Sequence, residues 1–230
     1  MPQGDDIRVM FAGIARRYDL LNRLLSLRID RRWRRRTVRA VAPPRPGRIL
    51  DLCCGTADLA LDLAAAGQAV TGVDFCREML VIGRVKARRL GRSAPRLVEA
   101  DALSLPFPAA SYDGATVAFG VRNLQDLDRG LAEAARILKP GAVLAVLEFG
   151  RPRGWLLSPL YALYLNVLVP LVGRLVSRDR GAYGYLSASI QAFEDQQAFP
   201  RRLEKAGFAE VRCENLSGGI AALYTARKPR

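Results

Sequence analysis

Arg48-Ile49-Leu50-Asp51-Leu52-Cys53-Cys54-Gly55-Thr56-Ala57-Asp58 is the stretch on which the reading of this chain turns. Its first five residues form a short apolar run of the kind buried on both faces of a parallel sheet. A small-residue turn follows, in which Gly55 allows close backbone approach, and a helix is expected to begin directly after it.

Outward from this stretch the same grammar repeats. Strands are expected at 48–52, 69–74, 96–100, 112–118, 143–149, 209–216 and 220–228, with helices filling the gaps between the first five. Alternating strands and helices, right-handed crossovers and short connections imply an α/β, doubly wound, mostly parallel seven-stranded sheet. Ser217-Gly218-Gly219 makes a tight turn, so the last strand should run antiparallel to the rest. Upstream, 7–40 reads as helical, with Ile7, Met10, Phe11, Ile14 and Tyr18 at helical spacing, and Pro43-Pro44-Arg45-Pro46-Gly47 ends that region. One domain is expected: an N-terminal helical cap over 1–42, a ligand-binding core over 48–150, an apolar helical insertion over 151–205 and a strand hairpin over 206–230.

Composition narrows the chemistry. The 230 residues carry a net charge of +14 and no histidine, which removes the usual general base, zinc proteases and every Ser-His-Asp triad. Four cysteines, with Cys53 and Cys54 adjacent, match neither a disulfide framework nor a metal site, and suggest a reducing cytoplasm. The polar, charged N-terminus resembles no signal peptide. The uncharged run 155–173 contains Ser158, Pro159, Asn166 and Pro170, which argue for broken apolar helices rather than a membrane span. Arginine-rich runs at 30–36 and 84–92 fit either solvated helix faces or contact with an anionic membrane surface.

In an open α/β sheet, ligands bind beyond the carboxyl ends of the strands. Asp51, Asp74 and Asp101 end three successive strands, and although any one of them could serve only as a helix cap, three together point to a ligand. Asp74 suits the two hydroxyls of a ribose, and Asp101-Ala102 an adenine edge. A dinucleotide would require G-x-G-x-x-G after the first strand, but the turn has only Gly55. An acid beside that turn instead favours a cationic ligand, S-adenosylmethionine. The sheet is therefore expected to be of the Rossmann-like class I methyltransferase type.

The chain resembles the quinone C-methyltransferases of menaquinone and ubiquinone biosynthesis, the MenG/UbiE family, over nearly its whole length. The resemblance is carried most specifically by Tyr18-Asp19-Leu20-Leu21-Asn22 and by Phe119-Gly120-Val121-Arg122-Asn123, and is extended by Arg136-Ile137-Leu138-Lys139-Pro140-Gly141 and Leu147-Glu148-Phe149. It departs from the family at Cys53-Cys54, Ala118 and Tyr224.

The resemblance implies donor binding by Asp51, Gly55, Thr56, Asp74, Asp101 and Ala102. It implies a polyprenyl quinol acceptor, demethylmenaquinol in the leading reading and a methoxy-benzoquinol in the alternative. Carbon methylation requires a phenolate, which without histidine falls to Arg122 for charge, Asn123 for positioning the ring oxygen and Tyr18 for ordering a water. The isoprenoid tail is expected along 155–175. Cytoplasmic residence with peripheral contact at the inner membrane face, and a homodimer, accompany this reading. No metal and no nucleic acid are expected. The rival readings are a nucleotide-sugar or nicotinamide enzyme of related fold, and an RNA methyltransferase or basic nucleic-acid-binding protein.

Overall fold

The computed structural model describes residues 4–43, 45–152, 157–168, 171 and 181–230. Its centre is a seven-stranded sheet of β1 (Arg48–Leu52), β2 (Ala69–Asp74), β3 (Arg96–Glu99), β4 (Tyr112–Ala118), β5 (Leu138–Phe149), β6 (Ala209–Leu216) and β7 (Ala221–Arg227). The strand order is β3-β2-β1-β4-β5-β7-β6. The first five strands pair in parallel, and β7 pairs antiparallel with both β5 and β6, as the glycine turn implied.

Two expectations need correction. The segment between β3 and β4 contains turns rather than a helix; Pro106 and Pro108 leave too little uninterrupted chain for one. β5 begins at Leu138 rather than 143, because Leu138 is fully buried and pairs with Tyr112, while Gly141 (φ 80) bends the strand behind it. The N-terminal helical region divides into α1 (Gly4–Leu25) and α2 (Asp30–Val41) where Leu27 and Arg28 take left-handed φ values of 49 and 62.

Alternate strand residues feed opposite faces of the sheet. Ile49, Val70, Ala145 and Leu147 pack against Trp33 and Val41 of α2 and Leu59 and Leu63 of α3 (Asp58–Ala65). Leu50, Val73, Leu144 and Val146 pack against Leu131 and Ile137 of α5 (Leu127–Ile137) and Phe199 and Leu203 of α8 (Ala198–Lys205). The helix α4 (Arg77–Ala87) follows β2 and touches α1 through Cys76, Met79 and Ala15.

A separate cluster lies over the carboxyl end of the sheet. It joins Ile14 and Leu21 of α1 to Tyr161 of α6 (Leu157–Leu163), Leu165 of the π-helical turn Tyr164–Leu168, and Ile190 of α7 (Gly181–Ala192). Of the apolar stretch after 155, residues 155–156, 169–170 and 172–180 lie outside the described residues. No helix among the described residues is long and apolar enough to cross a membrane.

Candidate active site

The turn after β1 winds through repeated left-handed residues, Cys53 (φ 51), Gly55 (φ 54) and Ala57 (φ 66), with Phe119 (φ 55) opposite at the end of β4. Only glycine takes this conformation freely, and bulkier residues held there mark a locally strained functional loop. The strain is held by hydrogen bonds: Cys54 N–H donates to Val73 O at 2.9 Å, and Gly55 N–H to Asp74 Oδ2 at 2.7 Å. A Cβ on Gly55 would meet no protein atom within 4 Å and would stand in the cavity above the turn.

Asp51 is 1 % exposed. Its Oδ1 accepts from the Thr116 hydroxyl at 2.6 Å, whereas Oδ2 has no hydrogen-bond partner among the described residues. Burial pushes this carboxyl up to about 7, against the opposing effect of the Thr116 hydroxyl. Asp51 lines the larger cavity, and a buried carboxylate with one unsatisfied oxygen beside it fits a cationic ligand group.

Asp74 is buried and accepts from Gly55 N–H and, through Oδ1, from Cys76 N–H at 2.9 Å; burial raises its pKa against those amides. Asp101 is exposed and accepts from Leu103 N–H at 2.8 Å, and Ala102 is buried beside it. Burial, with Asp74 and Asp51 nearby, holds the Cys53 and Cys54 thiols well above their ordinary range, so neither is a thiolate nucleophile.

Two adjoining cavities meet at this turn. One, about 330 Å³, is lined by Gly55, Asp74, Asp101, Ala102, Tyr18 and Asn123. The other, about 400 Å³, is mostly apolar, runs between α1, α2 and α6, and carries Asp51, Thr56 and Arg122 on its wall. Phe11, Tyr18, Cys53, Gly55, Ala118 and Phe119 line both and form the partition between them. The predicted donor residues are thus gathered around one turn but divided between its two sides.

The three residues expected to act on the acceptor are less uniformly placed. Arg122 is held by a buried ion pair: Nη1 lies 2.9 Å from Glu148 Oε1 and also donates to Phe119 O, while Nε donates to Ser189 Oγ at 3.2 Å. Glu148 is fully buried, and burial raises its carboxyl against the pull of Arg122. Asn123 turns to the smaller cavity, with Oδ1 accepting from Tyr185 O–H at 2.9 Å, which leaves its amide N–H₂ as donor. Tyr18 is half-buried on the shared wall, and burial raises its phenol, so it is a neutral hydrogen-bond donor rather than a base at neutral pH.

Sequence reasoning missed Thr116, which holds Asp51, and Glu148, which holds Arg122. It also missed the aromatic floor, where Phe119 and Phe149 approach to 4.5 Å and Trp33 lies 6.1 Å from Phe119. The available signal for Thr116 was its place on β4 beside β1, and for Glu148 and Phe149 their place at the end of β5; Trp33 reaches the site from α2.

A parallel sheet with an antiparallel seventh strand, a single-glycine turn after β1 and acids at the next two strand tips define an S-adenosylmethionine-dependent methyltransferase of the class I fold. The chain belongs to the ubiE/COQ5 methyltransferase family, whose model matches residues 3–228.

It is 46 % identical over 222 residues to a demethylmenaquinone methyltransferase of Thermus thermophilus, covering 96 % of this chain and 100 % of that one. It is 42 % identical over 230 residues to a ubiquinone/menaquinone biosynthesis C-methyltransferase of a Geobacter species, covering 98 % and 97 %. Among solved structures, the [4+2]-cyclase SpnF superposes with a TM-score of 0.67 at 18 % identity, over 99 % of this chain and 97 % of that one. Haemonchus contortus phosphoethanolamine N-methyltransferase 2 with S-adenosyl-L-methionine gives 0.66 at 16 % identity, over 86 % and 53 %. At these identities the solved structures speak for the fold alone; one of them is a cyclase.

Proposed function

We propose that the protein methylates a ring carbon of a polyprenyl quinol, demethylmenaquinol by preference, with S-adenosylmethionine as donor. The observation that carries this reading is the pair of cavities sharing one wall: an acid-lined one around Asp74 and Asp101, and a mostly apolar one reaching from Asp51 to Leu160. The names of the relatives favour the same acceptor class.

The donor supplies an electrophilic methyl group. Asp74 and the Asp101-Ala102 backbone hold its adenosine, and Asp51 its cationic end, with Gly55 and the Thr56 backbone between; the Thr56 hydroxyl is already engaged with Asp19 at 2.6 Å.

Arg122 acts on the acceptor through its remaining N–H donors. Because Glu148 largely cancels its charge, it lowers the phenol pKa less than a free guanidinium would. Asn123 offers its amide N–H₂ to the ring oxygen, and Tyr18 orders the water that carries the phenolic proton away.

The isoprenoid tail follows the apolar cavity toward Leu27, Ile29 and Leu160. Tyr164 O–H donates to Leu25 O at 2.8 Å, which ties the end of α1 to the π-helical turn. Leu24, Leu27, Leu160, Leu163, Val167 and Leu168 are exposed around that junction, and Arg28, Arg31 and Arg32 are exposed beside it. Together they suit an anionic bilayer surface. Vesicles containing anionic lipid are expected to bind the protein less as salt rises, and an Arg31→Glu/Arg32→Glu variant should partition more weakly by roughly 30-fold or more; absent or salt-insensitive binding in a sedimentation assay would count against peripheral attachment.

The acceptor is tested by mass spectrometry of quinones from cells lacking the gene. Accumulated demethylmenaquinone is the expected result, accumulation of an unmethylated benzoquinone favours the ubiquinone branch, and an unchanged quinone pool overturns the acceptor.

A further inference from the structure

Lys86, on α4, lies at a junction of three other segments. Its ammonium donates to Asp19 Oδ2 of α1 at 2.9 Å, to Thr56 Oγ1 of the β1 turn at 3.0 Å, and to Asp58 Oδ1 at the start of α3. The Thr56 hydroxyl in turn donates to Asp19 Oδ1 at 2.6 Å. Thr56 is 3 % exposed, and the Lys86 and Asp19 side chains are 22 % and 19 % exposed. This is a closed, largely shielded network rather than a surface pair.

Its placement gives it a consequence for binding. α1 supplies Arg8, Phe11 and Tyr18 to the acid-lined cavity, opposite Asp74 and Asp101 on the sheet side. Asp19 adjoins Tyr18 in that wall, and Thr56 adjoins Gly55 in the turn beneath it. One ammonium therefore fastens the covering helix to the loop it covers.

We propose that Lys86 is a positioning residue: acting through Asp19 and Thr56, it clasps α1 against the β1 turn and thereby sets how tightly and how long the methyl donor is held. This rests on the donor reading above. Without the ammonium, Asp58 keeps Arg34 of α2 at 3.7 Å, but Asp19 is left facing a second carboxylate, with the Thr56 hydroxyl as its partner among the described residues. Like charges then push α1 outward. The remedy is to discharge Asp19, so Asp19→Asn should partly rescue Lys86→Met.

The experiment is calorimetric binding of S-adenosylhomocysteine and S-adenosylmethionine to wild type, Lys86→Met, Lys86→Arg, Asp19→Asn and the Lys86→Met/Asp19→Asn double variant. Lys86→Met should weaken binding roughly 3- to 30-fold with a faster off-rate, Lys86→Arg should restore most of it, and the double variant should bind more tightly than Lys86→Met alone. Turnover at saturating donor should fall far less than affinity. Unchanged affinity in Lys86→Met, or a double variant that binds no better than Lys86→Met, would overturn the clasp. Melting temperatures measured in parallel separate a folding defect from a binding one. If wild type itself fails to bind either nucleoside, the donor reading fails, which is a different result.

Discussion

Arg122→Met is expected to reduce turnover by about 100- to 1000-fold while donor affinity stays near wild type, the loss typical of removing a preorganised donor at a developing oxyanion. The single variant carries a second effect. Glu148 is fully buried, and its salt bridge to Arg122 is 2.9 Å long, so removing the guanidinium leaves an unpaired buried carboxylate at a cost of roughly 3–5 kcal/mol. Burial already holds the Glu148 carboxyl above its ordinary range, and Arg122 is the main influence opposing that rise. A carboxyl whose folded-state pKa is raised favours the fold at low pH and loses that contribution as pH rises through the raised value. The melting temperature of Arg122→Met should therefore fall further below wild type at pH 8 than at pH 5. Arg122→Met/Glu148→Gln should regain stability and remain inactive. Wild-type turnover by this folded double variant would remove Arg122 from the mechanism.

Asp51→Asn should weaken the methyl donor by about 30-fold or more, since truncating one partner of a buried charge pair costs roughly 2–5 kcal/mol. The pH dependence is the more specific signature. In the ligand-free site the Asp51 carboxyl lies at about 7, so below that pH it must release a proton before pairing with a cation. Wild-type affinity should fall by about tenfold for each unit below pH 7. In Asp51→Asn that contribution is lost, and any residual slope reports on Asp74, whose carboxyl burial also raises. Calorimetry between pH 5.5 and 7.5 decides the matter: parallel slopes in wild type and variant would show that Asp51 does not face the cationic end of the donor.

Relief of an ionised buried carboxylate has a second outcome, of opposite sign. Because the Asp51 carboxyl is raised on folding, its ionisation destabilises the ligand-free protein as pH climbs toward and past 7. Asp51→Asn should accordingly melt higher than wild type at pH 8, even as it binds the donor worse. Residues that bind ligands commonly exchange stability for function in this way.

Much of the core was legible along the chain because its signals are local. The apolar runs of β1, β2 and β4 are continuous along the chain, as strand burial requires, and the acids Asp51, Asp74 and Asp101 and the lone Gly55 lie in or within a few residues of the ends of β1, β2 and β3. The break between α1 and α2 was less visible: Leu27 and Arg28 are ordinary helix formers, and their left-handed φ values come from the tertiary path of the chain. The missing helix between β3 and β4 was legible only in hindsight, from Pro106 and Pro108.

By itself the sequence determined the sheet, the single-glycine turn that excludes a pyrophosphate, and the acids Asp51, Asp74 and Asp101 at successive strand ends, since all of these follow from short-range pattern. Only the tertiary structure decided which partners those residues have. Thr116 meets Asp51, Glu148 meets Arg122, and Lys86 meets Asp19 and Thr56 across sequence separations of 65, 26, 67 and 30 residues. A buried charge is governed by what lies within a few ångströms of it, and no periodicity along a chain encodes that distance. The turn after β1 is thus written in the residues 48–58, but the poise of its carboxylate and the helix clasped over it are properties of the fold.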